Sequence, residues 1–297
     1  MVETVAPRDT ALQHGPWGAY APRPLPLFLE LIRQVARDNA ALAKRALDGL
    51  ARYEREARPP SRSPRAVIGD FAGVVLRDHG GAGSPVILVP SLINPPHVLD
   101  LPEHSLAQAL AARHHVMLVD WGPAAARAGL DLAAHLEERL IPLLRPLGRD
   151  IALVGYCLGG TMALAAANLM PVARIATLAA PWRFSAYPEE SRAALAKLWE
   201  GSAAATRSLG VLPTEVLQLA FWSLDPRGMV AKFADLAAEP EGSAAVRRFV
   251  TLEDWANDGE PLPLLAARDL IEQLFLADRP GRDEWRIGSV PIRPDPA

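Results

Sequence analysis

The sequence contains a single cysteine, Cys157, in 297 residues, so no disulfide can form within the chain and the thiol must be explained as a free group. A reducing compartment is therefore expected. Lysine is scarce too, confined to Lys44, Lys197 and Lys232, and 31 Lys and Arg against 34 Asp and Glu leave a net charge of -3. A chain so near neutrality has no whole-molecule field to attract nucleic acid or an anionic membrane, and a small molecule is the expected partner. The sequence also lacks an apolar run long enough for a transmembrane segment and a basic start followed by an apolar stretch, so a cytoplasmic protein is predicted. No His, Cys and carboxylate cluster has metal-ligand spacing. Gly80-Gly81-Ala82-Gly83 precedes a strand rather than a helix, which makes it a turn and not a phosphate loop. Neither a metal nor a cofactor is expected.

Half of the residues are apolar, enough to bury a sizeable core. Residues 1–26 are rich in Pro, Gly and Ala and read as irregular, whereas 27–57 carry apolar residues at helical spacing. A breaker cluster of Pro59, Pro60, Ser61, Ser63 and Pro64 closes this N-terminal helical arm, assigned to 1–65. Short β-branched runs then alternate with longer helical ones: Val74–Leu76, Val86–Val89, His115–Val119, Ile151–Val154 and Ile175–Leu178, with an amphipathic stretch from Leu130 to Leu147. Apolar runs separated by helices are what a parallel sheet covered on both faces requires, and the prediction is an α/β core over 66–182. After Pro181-Trp182 come about a hundred helix-like residues with many aromatics and no clear strand, predicted as a helical cap over 183–285 that follows the sixth strand. A separate helical domain is the alternative. Residues 286–297 are predicted as the start of a return to the core that breaks off.

The sharpest signal is Val154-Gly155-Tyr156-Cys157-Leu158-Gly159-Gly160, which follows a β run and opens a helix of small residues. That is the setting of a Gly-x-Ser-x-Gly nucleophile elbow with sulfur in place of the hydroxyl. Gly155 and Gly159 would let strand and helix approach closely around a residue forced into an unfavourable backbone conformation. Cys157 would present its sulfur at a helix N-terminus, where free N–H groups favour thiolate, and the Leu158 amide would point at an oxyanion. The plain alternative is a small buried cysteine. Sulfur also suits a thioester donor, because thiolate and thioester exchange with little net free-energy change; a coenzyme A thioester is the natural substrate. The strand end Leu88-Val89-Pro90-Ser91-Leu92-Ile93-Asn94 is the candidate for the second oxyanion amide, at Leu92 or its neighbour Ser91.

Taken together with Val98-Leu99-Asp100-Leu101, Val119-Asp120-Trp121-Gly122 and Leu252-Glu253-Asp254-Trp255 with Asp258-Gly259, these motifs resemble the polyhydroxyalkanoate synthases from about residue 66 onwards. The resemblance implies an α/β-hydrolase fold with a mostly parallel sheet and a cap. It also implies a Cys–His–Asp triad and polymerisation of 3-hydroxyacyl coenzyme A into polyester, with Cys157 matching the nucleophile and Leu158 the oxyanion amide. The short arm is similar to that of synthases acting with a partner subunit, so a homodimer or a synthase partner, and association with polyester granules, are implied as well. The sequence departs from the pattern in two places. Pro95-Pro96-His97 stands where the family has aromatics, and no Gly-His or Asp-x-(Ile/Val)-Pro segment follows the cap. All seven histidines, His14, His79, His97, His104, His114, His115 and His135, precede the elbow, and they read as surface or structural groups, with His97 the nearest to a functional one. Two other functions therefore stand beside the acyltransferase: a cysteine-dependent ester or thioester hydrolase, and a catalytically silent binding or granule-associated homologue.

Overall fold

The computed structural model describes residues 22, 24–58, 65–102 and 104–295. The breaker cluster at 59–64, His14 and nearly all of the irregular stretch lie outside the described residues. The predicted arm is two helices, α1 (Leu25–Val35) and α2 (Ala40–Arg55). They part where the Asn39 side chain accepts the Leu42 amide at 2.9 Å, because an N-cap satisfies a donor that the first turn of a helix leaves unpaired.

The sheet has six strands: β1 (Val67–Phe71), β2 (Val74–Gly80), β3 (Pro85–Val89), β4 (His115–Asp120), β5 (Ala152–Tyr156) and β6 (Arg174–Leu178), in the order β1-β2-β4-β3-β5-β6. β1, β2 and β4 pair antiparallel, and β4, β3, β5 and β6 pair parallel. The first strand is not legible in the sequence because it lies at the sheet edge with no buried face, and so shows no alternation. The central strands do show their burial. Ile87, Val89, Met117 and Val119 enter one core, whereas Val86, Leu88, Val116 and Leu118 enter another on the opposite face. The latter is covered by the 3-10 turn Pro96–Asp100 and α3 (Leu106–Ala111).

The predicted amphipathic stretch 130–147 is not one regular helix. α4 (Leu132–His135) runs into a π turn (Leu136–Leu140), then α5 (Ile141–Leu144) and a 3-10 turn (Arg145–Leu147). Pro142 and Pro146 each lack an amide donor, and the wider and tighter turns accommodate the gaps. α6 (Leu158–Leu169) follows β5. Beyond β6 the helices are α7 (Glu189–Leu209), α8 (Thr214–Leu224), α9 (Pro226–Leu236), α10 (Ala244–Asn257) and α11 (Leu264–Arg268), the last continuing as a π-helical stretch, Asp269–Leu276. Contrary to the strand-free reading, β7 (Val211–Leu212) and β8 (Leu262–Pro263) pair antiparallel here; two residues are too few to show a period. The segment after Trp285 forms a hairpin of β9 (Arg286–Ile287) and β10 (Val290–Pro291) instead of another strand of the main sheet. Asn168 of α6 fastens it by bonds in both directions to the Arg293 backbone, at 2.9 and 3.2 Å.

The arm and the helices after β6 share one core. Phe28, Ile32, Leu50 and Tyr53 pack against Trp222, Phe233, Val246 and Val250. α2 and α9 meet at Gly49, where a Cβ would stand 1.7 Å from the Phe233 carbonyl oxygen. By contrast, Ala266, Ala267, Leu270, Ile271 and Leu274, from the end of the predicted cap, belong to the core of the sheet.

Candidate active site

Cys157 sits between the last residue of β5 and the first of α6, with φ 53° and ψ -129°. A side chain at positive φ is strained, and the surroundings enforce it. The Cys157 amide donates to the Leu178 carbonyl at 2.9 Å, while the Cys157 carbonyl accepts from Gly160 at 2.8 Å and Thr161 at 3.3 Å, starting the helix. Two glycines make the approach physically possible. A Cβ on Gly159 would lie 2.3 Å from the carbonyl oxygens of Val89 and Pro90, and one on Gly155 would lie 2.4 Å from Gly160 Cα. Gly160, not singled out from the sequence, is as tightly bound, its added Cβ falling 2.5 Å from Ala180 Cβ.

The sulfur's electrostatics differ from the sequence expectation. Burial pushes the Cys157 thiol above its ordinary range, and the hydrogen bond from the Leu158 amide pulls it down less strongly. The helix N-terminus thus acts in the expected direction and burial outweighs it. Next to it, the strand end holds Ser91 and Leu92, both buried, and Ile93. Ser91 Oγ accepts the Ile93 amide at 3.3 Å, and Trp121 Nε1 donates to the Pro90 carbonyl at 3.0 Å, which fixes the turn containing Leu92 beside the start of α6.

Cys157, Leu158 and Ile93 form the floor of a cavity of about 1000 Å³, open solvent at its mouth included, whose walls come from α7, α8 and the π-helical stretch 269–276. Among the described residues, no histidine, aspartate or glutamate lines it. Tyr187 does line it, and its phenol is pushed above its ordinary range by burial and by the Cys157 sulfur. Nothing beyond its position after β6 marks Tyr187 in the sequence. His97 is at the surface of the turn after Pro95-Pro96, its imidazole lowered by partial burial against the pull of Asp258 and Asp100, and it is not part of the cavity.

The other motif residues are braces. Asp254 accepts Tyr53 Oη at 2.6 Å and both Arg58 Nε and Nη2 at 3.0 Å, tying the helical arm to α10. Trp255 Nε1 reaches the Pro95 carbonyl at 3.2 Å. His135, placed on a helix by the sequence, is wholly buried: Nδ1–H donates to the Asp131 carbonyl at 2.7 Å and Nε2 lies 3.2 Å from Arg127 Nη1. Burial pushes its imidazole down to about 4.

Comparison with known proteins places these features. The chain is similar to poly(3-hydroxyalkanoate) polymerase subunit PhaC of Haloferax mediterranei, 29% identical over 68% of this chain and 44% of that protein. The same subunit of Haloarcula marismortui is 28% identical over 73% of this chain and 48% of that one, and that of Synechocystis sp. is 27% identical over 69% and 58%. The chain spans about half the length of these relatives. Residues 79–293 match the model of the alpha/beta hydrolase family, which with the parallel sheet and the strand-to-helix turn at Cys157 shows that the chain belongs to that family.

Proposed function

We propose that the chain is an acyltransferase of the polyhydroxyalkanoate-synthase type, in which Cys157 takes the acyl group of a 3-hydroxyacyl coenzyme A thioester. The observation that carries this is the thiol held at a strained strand-to-helix turn and opening into an apolar cavity. The thiolate attacks the thioester carbonyl, the carbon–sulfur bond to coenzyme A breaks, and the proton from Cys157 ends on the released thiol. The Leu158 amide, with Leu92 as the second donor, stabilises the oxyanion. The acyl group then passes to an alcohol, whose oxygen bonds the carbonyl carbon as the bond to the Cys157 sulfur breaks and whose proton returns to that sulfur, extending a polyester. A homodimer or a synthase partner subunit, and a cytoplasmic site at the surface of a polyester granule, belong to the same proposal.

A second reading, a homologue that binds acyl thioesters without turning them over, is supported by the upward push on the thiol. One experiment separates the readings. The chain is incubated with 3-hydroxybutyryl and 3-hydroxydecanoyl coenzyme A, intact mass is measured, and released coenzyme A and products are followed. An acyl adduct lost in Cys157→Ala, with polyester formed, is the expected result; an adduct with only free hydroxy acid would mean a hydrolase. No adduct and no release would leave the silent homologue.

A further inference from the structure

Two helix faces run along the cavity. On α8 it is lined by Val216, Leu217, Ala220, Phe221 and Leu224, and on α7 by Ser191, Arg192, Leu195, Leu198 and Trp199. Each set covers eight residue steps, so at the rise of an α-helix each wall is about 12 Å long. Most of the polar groups along these walls are engaged elsewhere. Arg192 Nε and Nη2 donate to the carbonyls of Phe275 and Leu276 at 3.0 and 2.8 Å, Trp199 Nε1 donates to Glu272 at 3.0 Å, and Ser223 Oγ donates to the Ala220 carbonyl at 2.7 Å. Leu212, Leu217, Leu270 and Ile271 are buried, whereas Phe221 and Leu224 reach solvent, so the cavity leads from the sulfur towards an open end.

We infer that this cavity holds an unbranched hydrocarbon chain of medium length, about eight to ten carbons at the roughly 1.2 Å per bond of an extended chain. The inference rests on the reading that Cys157 carries an acyl group, and it specifies which one: a medium-chain acyl thioester rather than a four-carbon one. A four-carbon chain would leave most of both walls uncovered. The pantetheine arm of coenzyme A fits them poorly, because its two amides need partners and most of the wall donors are already bonded.

The test is made by calorimetric titration of the full chain carrying Cys157→Ala, which binds without reacting, against coenzyme A alone and its butyryl, hexanoyl, octanoyl and decanoyl thioesters. Each methylene taken fully out of water gains about fourfold in affinity, and with half of that free energy for a cavity open at one end, about twofold per methylene, the roughly six that separate decanoyl from butyryl should tighten binding about sixtyfold. Leu217→Trp, and separately Leu198→Trp, should flatten this dependence while circular dichroism remains native. Affinity that does not change from butyryl to decanoyl, or binding no tighter than that of coenzyme A alone, would overturn the inference. A steep dependence with no acyl adduct on the unmutated chain would sink the acyltransferase and leave the cavity as inferred. An adduct without the dependence would do the reverse.

Discussion

A cysteine at φ 53° costs on the order of 1–3 kcal/mol that a glycine would not incur. The usual order of substitutions should therefore invert at this position. Alanine ordinarily beats glycine because it leaves the unfolded chain less entropy, but here Cys157→Gly should be more stable than Cys157→Ala by about 1 kcal/mol in urea melts. The reverse order would mean that the turn relaxes and stores no strain. His135 gives a second residue-scale expectation. Its folded pKa of about 4 lies below the usual value near 6.5, so between these limits the unfolded chain binds the extra proton and stability falls as pH falls. From pH 7 to pH 5 the chain should lose about 2 kcal/mol from this group. His135→Gln, which keeps an acceptor for Arg127, should flatten that part of the urea midpoint against pH; an unchanged slope would assign the acid sensitivity to other groups. The Gly-x-Cys-x-Gly pattern was readable because its spacing is local. The burial of His135 was not, since nothing adjacent in sequence says that Arg127 and Trp121 close over it.

Between elements, Gly49 decides how closely the arm and the cap can meet. A glycine in a helix interior ordinarily costs about 1 kcal/mol relative to alanine. Here it permits the contact of α2 with the Phe233 carbonyl, so Gly49→Val should lower stability by about 3 kcal/mol despite the gain in side chain, read as a drop in thermal midpoint. A neutral result would show that α2 slides on α9 at no cost. The elements legible in the sequence were those with a long period or two-sided burial: β3, β4, β5, α2 and α6. Those missed had neither. β1 has no buried face, β7 and β8 are two residues each, and the break of 132–147 into α, π and 3-10 turns follows from where the prolines meet neighbouring packing. β6 was found from its β-branched run, yet in the described chain most of its residues are exposed, unlike those of β3.

At the scale of the whole molecule, the sheet carries one apolar core on each face, and the arm packed against α9 and α10 forms a third. Asp254 ties the arm to α10 within the third core through Tyr53 and Arg58, and the adjacent Trp255 reaches the turn before His97. Asp254→Ala leaves a largely buried phenol and a guanidinium without this acceptor and should cost about 2–3 kcal/mol. In a double-mutant cycle with Tyr53→Phe, the two losses should fall short of adding, because both remove the same bond; strict additivity would mean that the clamp does not form in solution. The sequence by itself determined the α/β class, the strand-to-helix turn and its cysteine, since each rests on spacing within a few residues and on the apolar content of single strands. Only the tertiary structure decided which helices wall the cavity, that the arm and the cap share a core, and that the Cys157 thiol is raised by burial. Those depend on residues such as Ile93, Tyr187, Leu217 and Ile271, far apart in the chain, being brought around one sulfur, and the free energy of a buried charge is set by that enclosure, which no local pattern records.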